Sequence, residues 1–234
     1  MLHSLWACAV IGFATLLYGT PAFLGSLLRP GSNITPRLGR RWSRMIVRAL
    51  GAEIDYVGRE RLDPARACLY VANHQSMVDI WALLMVLPES TRFVAKESLF
   101  RVPVLGWALR ASGFVPVDRT NRTRALRSLE LAATRVRSGL SLVLFPEGTR
   151  SPDGRLGSFK KGPFHLALDT GVPIVPVAIS GSWHVMPPRT LRFRRGRVRV
   201  RFLPAVDPRA TSAGDAAALR DHVRNAIARE LEPA

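Results

Sequence analysis

The sequence predicts an α/β fold, a mixed sheet flanked by helices, preceded by an N-terminal membrane-associated helix or helical hairpin. Three observations predict it. From residue 53 onward, short β-branched runs alternate with helical stretches. The first 28 residues carry no formally charged side chain, with His3 their one imidazole. The chain is 234 residues long, enough for one α/β domain with a proper core and too short for two. The organisation read from this is a membrane anchor over 1–28, a basic amphipathic connecting helix over 29–50, and a globular domain over 51–234.

If fully helical, residues 5–28 extend roughly 36 Å, enough to cross a hydrocarbon core of about 30 Å. Gly12, Gly19, Pro21 and Gly25 interrupt the run, and an interior proline removes a helical hydrogen bond. A single span and two shorter helices forming a hairpin are therefore both open. The segment has no basic n-region and no small-x-small cleavage site, which argues against a cleaved signal peptide. Arg29, Arg37, Arg40, Arg41, Arg44 and Arg48 follow at once. By the positive-inside rule they place the rest of the chain on the cytoplasmic side of an inner or plasma membrane. On an amphipathic helix these arginines face lipid headgroups or simply solvent.

In the globular part the pattern predicts strands near 53–57, 67–72, 91–95, 113–117, 141–145, 173–179 and 197–203. Helices are expected near 77–87, 103–111, 121–138, 161–170 and 214–231. In the last, Leu219, Val223, Ile227 and Leu231 recur every fourth residue, a core-facing stripe. The run Arg192–Arg201 reads as a hairpin with arginine alternating on one face. That face is either the solvated side of an edge strand or a cationic rim for lipid or an acidic carrier.

The net charge is +17, and lysine appears only at 96, 160 and 161. Arginine forks bind phosphate bidentately, so an anionic partner is expected: nucleic acid, an acidic membrane surface or an acidic carrier. Cys8 and Cys68 lie in apolar runs with no Cys-x-x-Cys or Cys/His cluster. Neither a disulfide framework nor a metal site follows, and Cys68 reads as a small core residue in a reducing compartment.

The chemistry concentrates in Asn73-His74-Gln75-Ser76-Met77-Val78-Asp79. Positions five apart diverge around a helix. His74 is therefore expected in the loop leaving a strand, with Asp79 in the first turns of the next helix. The imidazole then donates one N–H to the carboxylate and keeps its other nitrogen as a general base. No Gly-x-Ser-x-Gly elbow appears and neither cysteine sits beside a histidine, so no covalent nucleophile is offered. Such a base can act directly on a substrate hydroxyl; on the residues alone, His74 can equally be a structural loop histidine.

Three further blocks follow: Gly113-Phe114-Val115-Pro116-Val117-Asp118-Arg119, Phe145-Pro146-Glu147-Gly148-Thr149-Arg150, and Val172–Ile179. With the His74 block, in that order, they resemble the four motifs of the glycerophospholipid acyltransferase family, in the form of its 1-acylglycerol-3-phosphate members. The resemblance runs from about Ala67 to Ile179 and includes Val94–Leu99 and Phe159–Gly162. It implies a membrane-bound acyltransferase, with 51–234 as the acyltransferase domain, making phosphatidic acid from lysophosphatidic acid in phospholipid biosynthesis. His74 and Asp79 are then catalytic. Arg150, Arg119 and Lys96 bind the acceptor phosphate, with Lys160 and Lys161 as further cations of the cleft, and Glu147, Gly148 and Thr149 form the substrate-binding loop. Glu147 either binds an acceptor hydroxyl or holds Arg150. Gly148 lets backbone approach the substrate, and Thr149 is a phosphate donor or a turn residue. Arg119 is a second phosphate residue or a donor-site residue, with a salt bridge to Asp118 as its alternative. Val172, Ile174 and Val175 line an acyl tunnel or pack in the core. No bound cofactor or metal is implied. The co-substrate is acyl-CoA or acyl carrier protein, and the partners are membrane lipid and a lysophospholipid acceptor. A different lysolipid acceptor keeps the same chemistry. A basic non-enzymatic nucleic-acid binder is the distant alternative, opposed by the absence of a nucleic-acid motif and by the apolar N-terminus.

Overall fold

The computed structural model describes residues 2–28, 34–118, 122–212 and 214–231. Arg119 lies outside them. Seven strands form one mixed sheet: β1 (Ala52–Val57), β2 (Leu69–Ala72), β3 (Thr91–Lys96), β4 (Val115–Val117), β5 (Ser141–Leu144), β6 (Ile174–Ser180) and β7 (Gly196–Phe202), in the order β1-β7-β6-β2-β5-β3-β4. The five strands from β6 to β4 are parallel. β7 runs antiparallel to β6 and carries β1 parallel beside it.

Strand side chains alternate between the two faces, as the pleat requires. Leu69, Val71, Leu142, Leu144 and Ile174 enter one core with α5 (Arg122–Arg137), α6 (Gly162–Thr170) and α9 (Ala216–Glu230). Tyr70, Ala72, Val143, Val175 and Val177 enter the other, under α2 (Ile34–Leu50) and α3 (Val78–Val86). Because β2, β5 and β6 are covered on both sides, their sequences are almost continuously apolar. Leu219, Val223 and Ile227 of α9 are fully buried, as their spacing requires.

One open expectation is decided and another changes. Residues 2–28 form one continuous helix, α1 (Leu2–Leu28), running through Pro21. The hairpin is made instead by α1 and α2, which lie antiparallel: His3 Nε2 donates to the Leu50 carbonyl, Trp42 Nε1 to Thr15 Oγ1, and Thr35 Oγ1 to the Ala22 carbonyl. The buried side of α1 is built of small residues, among them Ala7, Ala14, Gly19 and Ala22. Its large ones, including Leu5, Trp6, Phe13, Leu16 and Leu24, are exposed. This inverts the burial pattern of a soluble helix.

The arginine-rich run is also not a hairpin. Only Gly196–Phe202 is strand, and it lies second from the edge. Parallel pairing sets Glu53 opposite Arg197 and Asp55 opposite Arg199. Arg197 and Arg199 accordingly pair with those carboxylates at 3.6 and 3.0 Å, and Arg201 pairs with Glu230 of α9. The alternation that resembled a cationic rim is largely neutralised by its own neighbours. The short helices α7 (Ser182–Val185) and α8 (Pro208–Ser212) were not predicted; neither is long enough to show a helical period. A seven-residue helix, α4 (Leu105–Ala111), follows β3.

Candidate active site

The parallel strands β2, β5 and β3 are neighbours, so their carboxyl ends open on one edge, where open α/β sheets place ligands. Asn73–His74 leaves β2 there, Phe145–Arg150 leaves β5, and Lys96 ends β3. Asp79 is the second residue of α3, one turn beyond the loop that carries His74.

His74 Nδ1 donates to Asp79 Oδ2 at 2.8 Å, with side-chain exposures of 8% and 0%. The same oxygen accepts the backbone N–H groups of Gln75 (2.7 Å) and Ser76 (2.8 Å). Asp79 is thereby fixed by three donors, and it fixes the imidazole in turn. With Nδ1 engaged, Nε2 is the nitrogen left to take a proton. The ring stacks on Phe145, centroids 4.0 Å apart and planes 20° apart.

The other polar residues of this loop are anchors. Asn73 bonds both the N–H and the carbonyl of Ile179, each at 2.8 Å, extending the β2–β6 pairing by a side chain. Gln75 Nε2 donates to the Gly154 carbonyl and Ser76 Oγ to the Met186 carbonyl. Every polar side chain from 73 to 76 is thus committed, which leaves His74 little freedom to move.

Glu147 does not hold Arg150; its carboxylate is turned to the backbone. Its Oε1 accepts the His74 backbone N–H at 2.8 Å and its Oε2 accepts that of Gly157 at 3.1 Å. The Ser151 N–H returns to the His74 carbonyl at 2.8 Å, so the β5 loop grips the His74 peptide from both sides. Burial pushes the Glu147 carboxyl up to about 7, against the opposing pull of those two backbone donors. Gly148 is left-handed at φ +75°, but the space a Cβ would fill is closed by the end of the Lys160 side chain, 3.0 Å away.

A cavity of about 450 Å³, within the range of small-molecule sites, runs from His74 and Phe145 along β3 beneath the α1–α2 pair. All six residues of β3 line it, a length of about 20 Å. Its walls are largely apolar: Tyr18, Trp42, Leu84, Phe93, Leu109 and Phe114. At the end near His74 it meets Lys96, Thr149 and Arg150, and none of these three side chains has a hydrogen bond or ion pair among the described residues. Arg40 also lines it. Expected among headgroup-facing arginines, it instead turns inward and donates to the Leu87 carbonyl at 2.7 Å. Val172, Ile174 and Val175 belong to the two cores and are absent from the cavity wall. Asp118, the alternative partner of Arg119, pairs with Arg124 at 3.3 Å. Of the predicted residues, the structure therefore unites His74, Lys96, Thr149 and Arg150 around one opening, with Asp79 and Glu147 behind. Phe145, Arg40 and the cavity contribution of α1 and α2 were not read from sequence, because each arises from tertiary contact.

Residues 53–180 match the family model described as Acyltransferase. The chain is 45% identical over 134 residues to a chloroplastic 1-acyl-sn-glycerol-3-phosphate acyltransferase of Brassica napus, covering 57% of this chain and 39% of that protein. It is 35% identical over 183 residues to one of Chlamydomonas reinhardtii, covering 77% and 54%. The matched stretch thus spans between about two-fifths and a little over half the length of those curated relatives. The crystal structure of the 1-acyl-sn-glycerophosphate (LPA) acyltransferase PlsC from Thermotoga maritima superposes with a TM-score of 0.86 at 30% identity, covering 98% of this chain and 93% of that one.

Proposed function

This chain belongs to the acyltransferase family, and from that premise we propose that it acylates the free hydroxyl of 1-acyl-sn-glycerol 3-phosphate, giving phosphatidate. The observation that carries the reading is the junction at His74. A buried, Asp79-oriented imidazole stands where an apolar cavity meets unpaired cations. The cavity follows all of β3 and is largely apolar, which suits an acyl chain. The cations suit a phosphate beside it.

In the reaction, the acceptor hydroxyl attacks the carbonyl of an acyl thioester. His74 Nε2 removes the hydroxyl proton as the new ester C–O bond forms, and Asp79 stabilises the imidazolium. The C–S bond breaks, and the proton passes from His74 to the departing thiolate. No acyl-enzyme is involved. The donor is acyl-CoA or acyl carrier protein; both are acidic and suit a chain of net charge +17.

The same reading places the protein on a membrane with its domain on the cytoplasmic side. α1 is long and apolar enough to cross a bilayer, but it is tied along its length to α2 and packs its Phe23 ring on Trp107 of α4. We therefore favour an α1 that lies immersed in one leaflet, its large apolar face toward lipid and Arg41, Arg44 and Arg48 of α2 at the headgroups. Small residues toward the partner helix and large ones outward are the pattern of helices packed in lipid.

The experiment adds purified protein to anionic vesicles carrying a labelled lysophospholipid, with acyl-CoA or acyl carrier protein as donor. Co-flotation with vesicles and rapid labelling of phosphatidate are expected. Equal rates with monoacylglycerol in place of lysophosphatidate would overturn the acceptor assignment, and a protein that stays in the aqueous fraction would overturn the membrane reading.

A further inference from the structure

We infer that Arg189, which lies outside all four sequence blocks, is a further phosphoryl-binding residue of the His74 site. Among the described residues only two non-glycines have positive φ, Val104 and Arg189. Val104 is accounted for by packing, since its side chain fills the space left by Gly19 of α1. Arg189, at φ +61°, has no such packing account. Its side chain is exposed, lacks a hydrogen bond or ion pair among the described residues, and lines the same cavity as His74, Thr149 and Arg150.

An L residue persists in the left-handed region when its surroundings over-determine the turn, and such outliers cluster at ligand sites. Here the surroundings do so. Ser76 Oγ, two residues from His74, holds the Met186 carbonyl at 2.8 Å. Thr190 Oγ1 donates to the Pro187 carbonyl and accepts the Arg192 N–H. Arg194 N–H closes the loop on the Val185 carbonyl at 2.9 Å, and Phe193 N–H reaches Ser4 Oγ at the start of α1. The turn is therefore registered directly on the catalytic loop and on the α1–α2 hairpin. A glycine would adopt its φ more readily than arginine does. The backbone at 189 is held at the wall of the cavity that Arg150 also lines, and a guanidinium there matches a phosphate dianion.

The ligand chemistry is a phosphate monoester or diester at the mouth of the cavity. Two molecules of the proposed reaction bring one, the lysophosphatidate acceptor and the phosphopantetheine-bearing donor. The inference rests on the proposed function, and binding is measured separately from turnover so that the two stand or fall apart. Equilibrium binding of lysophosphatidate and of monoacylglycerol in detergent micelles is measured for wild type, Arg189→Gly, Arg189→Lys and the exposed control Arg192→Ala. KM for acceptor and donor is measured in parallel. Arg189→Gly is the informative variant because it suits the backbone, so it should unfold no earlier than wild type.

The expected result is about 10-fold weaker lysophosphatidate binding and a similar rise in one KM for Arg189→Gly. kcat should change little, Arg189→Lys should restore part of the loss, and Arg192→Ala should behave as wild type. Monoacylglycerol binding should be unaffected. A rise confined to the donor KM assigns Arg189 to the donor phosphate, one confined to lysophosphatidate to the acceptor. Unchanged lysophosphatidate affinity together with unchanged KM for both substrates overturns the inference. A wild type that binds lysophosphatidate through Arg189 but does not acylate it overturns the proposed function alone.

Discussion

The buried and cationic halves of the site are built on opposite rules. Behind His74, the Asp79 Oδ2 oxygen and both Glu147 oxygens have donors, and the loop side chains from Asn73 to Ser76 are all bonded. In front of it, Lys96, Thr149, Arg150 and Arg189 surround the opening without a bonded partner among the described residues. Some exposed arginines elsewhere are neutralised, as β1 does for Arg197 and Arg199, but with 34 cations to 17 carboxylates many others are not. Leaving these cations unpaired keeps them available to an incoming anion. Under the proposed reaction the contrast separates two jobs. The bonded half, in which Asp79 Oδ1 alone of these carboxylate oxygens has no donor among the described residues, pre-orients His74 as the base. The cationic half takes the substrate's phosphate.

The largest effect is expected from removing the base. His74→Ala should lower kcat by 10² to 10⁴, a range typical of general-base removal, while lysophosphatidate binding in micelles stays near wild type. A variant that kept its rate would collapse the distinction between the two halves. Arg150→Ala should do the converse. Losing a charged hydrogen-bonding partner should raise KM for lysophosphatidate roughly 10- to 100-fold, with a smaller change in kcat. If steady-state kinetics showed the two variants shifting the same parameter, phosphate binding and proton transfer would have to share residues.

The sequence carried much of this because the relevant signals were local. The seven strands follow from alternation or short apolar runs, and the helices of the globular part longer than six residues from helical period and length. The His74–Asp79 pair follows from a five-residue spacing across a strand-to-helix junction. What escaped was long-range. Glu147 meets the His74 and Gly157 amides only because β5 lies beside β2, 73 residues away in sequence. Phe145 becomes the floor of the imidazole by the same adjacency. The arginine run is not a hairpin because only its second half is strand, set between β6 on one side and β1, from the other end of the chain, on the other. Arg189 had no motif to announce it and is singled out only by its backbone conformation and position.

The smallest expected effect concerns the hinge between the halves, Glu147, whose carboxyl is raised by burial from its usual 4.5 to about 7. The native state then holds its proton more tightly than the unfolded chain. Stability from this group is complete below about 4.5 and is lost as pH rises toward about 7, a change on the order of 1–3 kcal/mol. Denaturant titrations across that window should show the slope in wild type and its absence in Glu147→Gln. Function runs the other way. Only the ionised carboxylate has both oxygens free to accept from His74 and Gly157, whereas a glutamine turns one NH₂ toward an N–H that it cannot serve. The wild-type rate divided by the Glu147→Gln rate should therefore rise several-fold from pH 5 to 8. A ratio flat across that range would show that the His74 peptide keeps its place without the carboxylate, and that the buried half is more rigid than its hydrogen bonds require.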